Sequence, residues 1–204
     1  RMADKAFDEM NAGATGSVRA PYRGVADWLA RTSPERVAAT RHEVDQFYRR
    51  HGITFGAYGA VDGHEATIPF DIIPRVIAWD EWEFLRKGLV QRVTALNAFL
   101  ADAYGQREIC RAGIIPEDQI LMNAEFVAMA QGLALPGGVH AHIAGIDLVR
   151  VGEKDFYVLE DNVRTPSGVS YVLENREVMM RLAPELFSAI PVLPVADYSE
   201  ELLA

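Results

Sequence analysis

Cysteine is almost missing from this sequence: Cys110 stands alone among 204 residues. A single thiol excludes an internal disulfide framework and a thiolate metal cluster, and it fits a reducing, cytoplasmic setting. Lysine is scarce as well. Lys5, Lys87 and Lys154 are scattered, and none sits in a Gly-x-x-x-x-Gly-Lys phosphate loop. Long apolar runs are absent too. No stretch approaches the roughly 20 residues that span a bilayer, and Arg1 to Met10 lack the apolar segment of a signal peptide. Positive charge is in deficit, with a formal net charge of −9. Such a surface repels phosphate backbones and disfavours general nucleic-acid binding. No internal repeat or low-complexity tract is present.

What is there is the balance of a globular protein with a core: 50% hydrophobic and 24% charged residues. The length suits one large domain or one and a half ordinary ones. Residues 1–32 read as a loop-rich lead-in, because Phe7, Met10, Tyr22, Trp28 and Leu29 are interspersed with glycines and Pro21. Ser33-Pro34-Glu35 is a helix start, a capping hydroxyl followed by proline and acid, and Gly52 ends that helix. Ile53 to Tyr58 reads as a strand, followed by a turn at Gly59, Asp62 and Gly63. The apolar run from Ile68 to Ile77 carries Pro69 and Pro74, which demote it to an edge strand or an irregular buried segment. Asp80 with Glu83 forms a capping-box variant. It opens a helix whose Leu85, Leu89, Val93, Leu96 and Leu100 make a core stripe ending near Tyr104-Gly105. Residues 33–135 are thus mainly helical with short strands. In the segment 136–190, Val139–Val151 and Phe156–Leu159 form a hairpin around the polar turn Gly152-Glu153-Lys154-Asp155. Helices follow from Tyr171 to Leu182 and from Pro184 to Ile190. Residues 191–204 read as a linker.

The chemistry concentrates on that hairpin. Asp147 and Glu160 lie on its two arms, and residues paired across a hairpin have Cβ atoms about 5 Å apart. Asn162, two residues after Glu160, returns to the same face of an extended strand. Two carboxylates and an amide carbonyl are hard oxygen ligands, which suit Mg2+ shared with nucleotide phosphates. Arg150 and Arg164 are close in sequence and chemically matched to phosphate. Thr165, Ser167 and Gly168 offer hydroxyls and backbone N–H groups to an anion ahead of the next helix. On spacing alone a solvated hairpin is the plainer account. Context favours the metal reading, because Leu159-Glu160-Asp161-Asn162 ends an apolar strand directly before a Pro-Ser-Gly loop.

The segments Gly145-Ile146-Asp147-Leu148-Val149-Arg150 and Tyr157-Val158-Leu159-Glu160-Asp161-Asn162-Val163-Arg164-Thr165-Pro166-Ser167-Gly168, then Leu173-Glu174-Asn175-Arg176, resemble the circularly permuted ATP-grasp family. Phe70 to Ile77 and Gly88 to Asn97 fit the same family, which is similar to glutathionylspermidine synthase and more distantly to D-alanine–D-alanine ligase. The resemblance implies an α+β fold, a mostly antiparallel sheet with packed helices forming part of an ATP-grasp fold. It implies ATP and Mg2+ as cofactors and a ligation in which a small peptide or amino-acid carboxylate is phosphorylated and then attacked by an amine. It gives Asp147, Glu160 and Asn162 as metal ligands; the residues' own chemistry adds Arg164 and Arg150 as candidate catalytic arginines and Arg75, Thr165, Ser167 and Gly168 as candidate nucleotide contacts. Relatives often carry arginine where this chain has Gly145. The lysines and adenine-gripping strand of such sites are expected in a C-terminal half beyond Ala204, so the fragment alone is expected to be inactive. The alternative is a non-catalytic interaction or assembly module. Partners outside these classes, nucleic acid and membrane included, are not expected.

Three other features have ordinary explanations beside functional ones. His140 and His142 on one side of a strand could bind zinc or line the cleft, or be polar face residues. Cys110 is a nucleophile or an incidental thiol. Arg75 and Asp71 are ligand contacts or surface charges.

Overall fold

The computed structural model describes residues 7–12, 16–56, 65–67 and 69–203. In chain order its elements are β1 (Asn11–Ala12), β2 (Ser17–Val18), α1 (Arg23–Arg31), α2 (Pro34–His51), β3 (Thr54–Gly56), β4 (Glu65–Thr67), α3 (Trp79–Ala103), α4 (Glu108–Arg111), α5 (Glu117–Leu121), β5 (Gly145–Arg150), β6 (Phe156–Asn162), α6 (Val169–Leu182), α7 (Pro184–Ala189) and α8 (Tyr198–Leu203). The protein is α+β. Among the described residues the strands form three separate two-stranded antiparallel ribbons, β1–β2, β3–β4 and β5–β6, and no larger sheet. The chain divides into two compact units, Arg1–Ala78 with Gly168–Ala204, and Trp79–Ser167.

The first unit is built on α2 and α6. Ser33 caps α2 by accepting the Arg36 N–H at 3.2 Å, and Gly52 closes it in the left-handed region at φ 64°. Val44 and Tyr48 of α2 are buried with Val178 of α6, while Tyr22, Val25, Met179, Ala183 and Leu186 make a second apolar cluster. The lead-in is more ordered than its glycines imply. Val25, with Trp28 and Leu29 three and four residues after it, gives α1 an apolar face on that cluster. Residues 69–78 are irregular, and Ile72 in their middle is only 1% exposed. The two prolines keep the segment out of a ladder, so other groups take its backbone donors: the Tyr22 hydroxyl accepts the Val76 N–H at 3.0 Å and the Asp71 carboxylate accepts that of Ile73 at 3.0 Å. Of the strand expected over Ile53–Tyr58, Thr54–Gly56 is present; residues 57 and 58 and the following turn lie outside the described residues. The Tyr48 hydroxyl donates to Asn175 Oδ1. Burial pushes the pKa of that hydroxyl up to about 12, with the negative charge of Glu174 adding to the effect. Residues 191–204, read as a linker, include the short helix α8.

The second unit is organised along α3. This helix begins at Trp79, so Asp80 lies in its first turn rather than at its cap, and Glu83 binds Arg86 instead of reaching back to the backbone. Leu85 of the apolar stripe is buried and the rest of the stripe is half-buried. Four polar side chains of α3 reach the chain that follows: Glu81 to Arg150, Arg92 to Asp161, Asn97 to residues 140 and 141, and Asp102 to the backbone N–H groups of Glu108 and Ile109. Among the described residues no helix is long and apolar enough to cross a membrane.

Candidate metal centre

The hairpin forms as its alternation requires, with one irregularity that decides the site. Arg150 pairs with Phe156, Val149 with Tyr157 and Leu148 with Val158, but the next pair is Asp147 with Glu160. Leu159 is therefore an extra residue, a β-bulge on β6. Beyond it Ile146 pairs with Asp161 and Gly145 with Asn162. Exposure follows this phase. Val158 is half-buried, Leu159 and Glu160 are both exposed, Asp161 turns inward, and Asn162 faces out again. On β5, Asp147 and Val149 face out while Leu148 and Arg150 face in.

The outward face thus carries Asp147 directly across from Glu160, with Asn162 beside them. Asn162 Nδ2 donates to Glu160 Oε1 at 2.9 Å, which leaves its amide carbonyl oxygen available. Like charges placed directly opposite across two strands are destabilising. Neither carboxylate forms an ion pair with a cationic side chain among the described residues. An all-oxygen set of two carboxylates and one amide, exposed and without a counter-charge, fits a hard divalent cation that keeps part of its water shell. Among the described residues no group of three or more His, Cys, Asp and Glu could hold a metal ion, so a site here depends on the asparagine.

The inward face is held by two ion pairs to α3. Arg92 Nε and Nη2 donate to the two oxygens of Asp161, each at 2.6 Å, a bidentate geometry. That guanidinium holds the Asp161 carboxyl below the usual carboxylate range. At the other end of the hairpin Arg150 is spent on structure. Its side chain is fully buried; Nη2 reaches Glu81 Oε1 at 2.5 Å and the Glu153 carbonyl, Nε donates to the Gly152 carbonyl at 3.0 Å, and the guanidinium lies 4.9 Å from the Phe156 ring centre. A buried arginine so engaged reaches a phosphate only by breaking its bond to Glu81. Glu81 and Arg92 are 11 residues apart on α3, about 16 Å and close to three turns, so both lie on one helix face. Phe156 to Asp161 spans a comparable length, about 16 Å, along β6.

The remaining sequence candidates are dispersed. Arg164 is exposed and pairs with Glu125. Thr165 and Ser167 are exposed in the loop after β6, while Gly168 opens α6 and belongs to the first unit. Arg75 also belongs to the first unit, where it pairs with Glu9 at 2.7 Å. Gly145 has a steric reason: a Cβ there would stand 2.9 Å from Pro166 Cβ, so glycine lets the Thr165–Ser167 loop lie against the start of the hairpin. The strand expected from Val139 begins only at Gly145. Asn97 is the cause. Its Oδ1 accepts the His140 and Ala141 N–H groups at 2.8 and 2.9 Å, replacing the hydrogen bonds a partner strand would make. His140 and His142 are therefore not set side by side by strand alternation, and His140 stacks on Tyr104. No local sequence pattern marks Glu81, Arg92 and Asn97 as anchors of later segments. The one signal in the sequence is the 11-residue spacing that sets Glu81 and Arg92 on one face of α3.

The family model for a circularly permuted ATP-grasp matches residues 74–204, a span that contains the whole hairpin and α3. An uncharacterised protein of Synechocystis sp. is 45% identical over 191 residues, covering 93% of this chain and 40% of its own length. One of Mycobacterium tuberculosis is 44% identical over 198 residues, 97% of this chain and 35% of its own length. A candidate glutamate–cysteine ligase 2-2 of Frankia casuarinae is 40% identical over 184 residues, which are 88% of this chain and 20% of that protein. The chain spans well under half the length of these relatives. With the match running through α3, the acid pair and the loop behind it, the chain belongs to the circularly permuted ATP-grasp family.

Proposed function

We propose that this chain supplies the Mg2+-holding part of an ATP-dependent carboxylate–amine ligase. The observation that carries this reading is the register of β5 and β6, which sets Asp147 opposite Glu160 with Asn162 on the same outward face. These three side chains hold and orient the cation. Bound there, a divalent cation supplies charge neutralisation for the β- and γ-phosphates of ATP. The carboxylate substrate attacks the γ-phosphorus, ADP leaves, and an amine then displaces phosphate from the acyl phosphate as its N–H proton is lost. Arg164, exposed just after β6 and paired with exposed Glu125, is the arginine that this reading assigns to the phosphates; Arg150 holds the hairpin. Thr165 and Ser167 offer hydroxyls beside it. The substrates are a small peptide or amino-acid carboxylate and an amine, a class to which the name of the Frankia relative also belongs. Glutathionylspermidine synthase and D-alanine–D-alanine ligase perform reactions of the same class. The adenine-gripping lobe lies in the additional length that the relatives possess.

The test is ADP release by the full-length protein with ATP, Mg2+ and a panel of amino acids, peptides and polyamines. Asp147→Ala and Glu160→Ala are each expected to lower the rate by two orders of magnitude or more, about 3 kcal/mol in the barrier. Unchanged ADP release would remove those residues from the reaction and favour an assembly module, for which Val149, Tyr157 and Leu159, exposed on the same face, would be the docking surface.

A further inference from the structure

The bulge at Leu159 decides whether the metal set exists at all, and the alternative register shows why. If the ladder continued without a bulge from Leu148–Val158, Asp147 would pair with Leu159 and Ile146 with Glu160. Period-two alternation would then turn Glu160 and Asn162 inward and Asp161 outward. The carboxylate pair would be broken. That unbulged ladder has two advantages: it restores regular pairing, and it separates two like charges. Something must offset them. Within the second unit, Asp161 is the one β6 residue past the bulge that faces inward, and there it receives both guanidinium bonds of Arg92 at 2.6 Å. The unbulged ladder would carry Asp161 to the opposite face and abandon this pair. The Glu81–Arg150 pair lies before the bulge and is the same in both registers.

We propose that Arg92 is a positioning residue: by holding Asp161 inward it locks the Leu159 bulge, and the bulge sets Glu160 opposite Asp147 and turns Asn162 to the same face. Arg92 touches neither metal nor substrate. It acts through the strand register, so its contribution to cation binding is indirect. The inference rests on the metal reading for its consequence, but the register itself can be tested without metal.

Cross-strand nuclear Overhauser contacts measured without metal report the register directly. The unsubstituted chain is expected to show Asp147 against Glu160, and Arg92→Ala is expected to show Asp147 against Leu159. Asp161→Asn, close in shape and lacking the charge, repeats the test from the other partner. Arg92 is partly exposed, so these changes leave the apolar stripe of α3 in place. Retention of the Asp147–Glu160 contact in both variants would overturn the proposal. The second measurement is Mn2+ affinity by electron paramagnetic resonance. Arg92→Ala is expected to weaken binding about 10-fold or more, the usual scale for a residue that orients ligands. Deleting Leu159 removes the extra residue, so an ordinary ladder then brings Glu160 opposite Asp147 unaided. In that background Arg92→Ala should cost no further affinity. An equal loss in both backgrounds would show a general structural role and refute the positioning role. Failure of the unsubstituted chain to bind Mn2+ would overturn the metal reading, while the register contacts would still decide the role of Arg92.

Discussion

The two units are stabilised by different means. The first buries Tyr22, Val25, Val44, Tyr48, Ile72, Val178, Met179, Ala183 and Leu186, an apolar core gathered from both ends of its sequence. The second buries little beyond Leu85, Ala103, Ile120, Ala141 and the charged Arg150, and it exposes Trp79, Phe84, Met122, Met129, Tyr157 and Leu159. Its order comes from directed polar contacts between α3 and the segments that follow. Apolar burial tolerates small shifts because it has no direction; ion pairs and amide bonds fix a register. A site whose ligands must face one way is better held by the second kind of contact.

The sharpest way to break this contrast is Arg150→Ala. It removes the guanidinium from partly buried Glu81 and should destabilise the second unit by about 3–5 kcal/mol, whereas Arg150→Ala with Glu81→Leu should recover much of the loss. Chemical denaturation followed by Trp79 and Trp82 of α3, in a Trp28→Phe background that removes the first unit's tryptophan, reads that unit. If the single substitution costs no more than a surface change, the second unit is not held by polar contacts. Ile72→Ala tests the other side. It opens a cavity in the first unit and should cost about 2–5 kcal/mol, with hydrogen exchange accelerated in that unit and unchanged along α3.

Tyr48 gives the first unit a pH signature. The fold favours its protonated hydroxyl, so its contribution is fully present below the unfolded value near 10 and is lost as pH rises through about 12. The loss is on the order of 2–3 kcal/mol, and alkaline unfolding monitored by circular dichroism should shift when Tyr48→Phe removes the titrating group. Gly145→Ala sharpens the comparison within the site. Its Cβ meets Pro166, so the Thr165–Ser167 loop must move, at about 1–3 kcal/mol, and amide shifts should concentrate in residues 163–168. The smallest effect expected is Ser33→Ala, which removes the α2 cap and should lower stability by about 1 kcal/mol in thermal melts.

Much of this was legible in the sequence because it is local. The helix from Pro34 was readable from its cap and its terminal glycine, α3 from its leucine spacing, and the hairpin from alternation around a polar turn. The acid pair was readable as residues of the right type on facing arms, although alternation alone predicts neither the bulge nor the inward turn of Asp161. The sequence reads Arg150 as a phosphate ligand; only its burial against Glu81 gives it a structural role. The strand expected from Val139 was lost to Asn97, whose competing hydrogen bonds come from a residue more than 40 positions away.

By itself the sequence determined the α+β class, the placement of its main helices and the chemical type of the metal set, since each depends on neighbours within a few residues. The tertiary structure alone decided which of the charged residues face outward. That choice turns on a one-residue slip in a ladder, and the contacts that hold the slip join residues 69 positions apart.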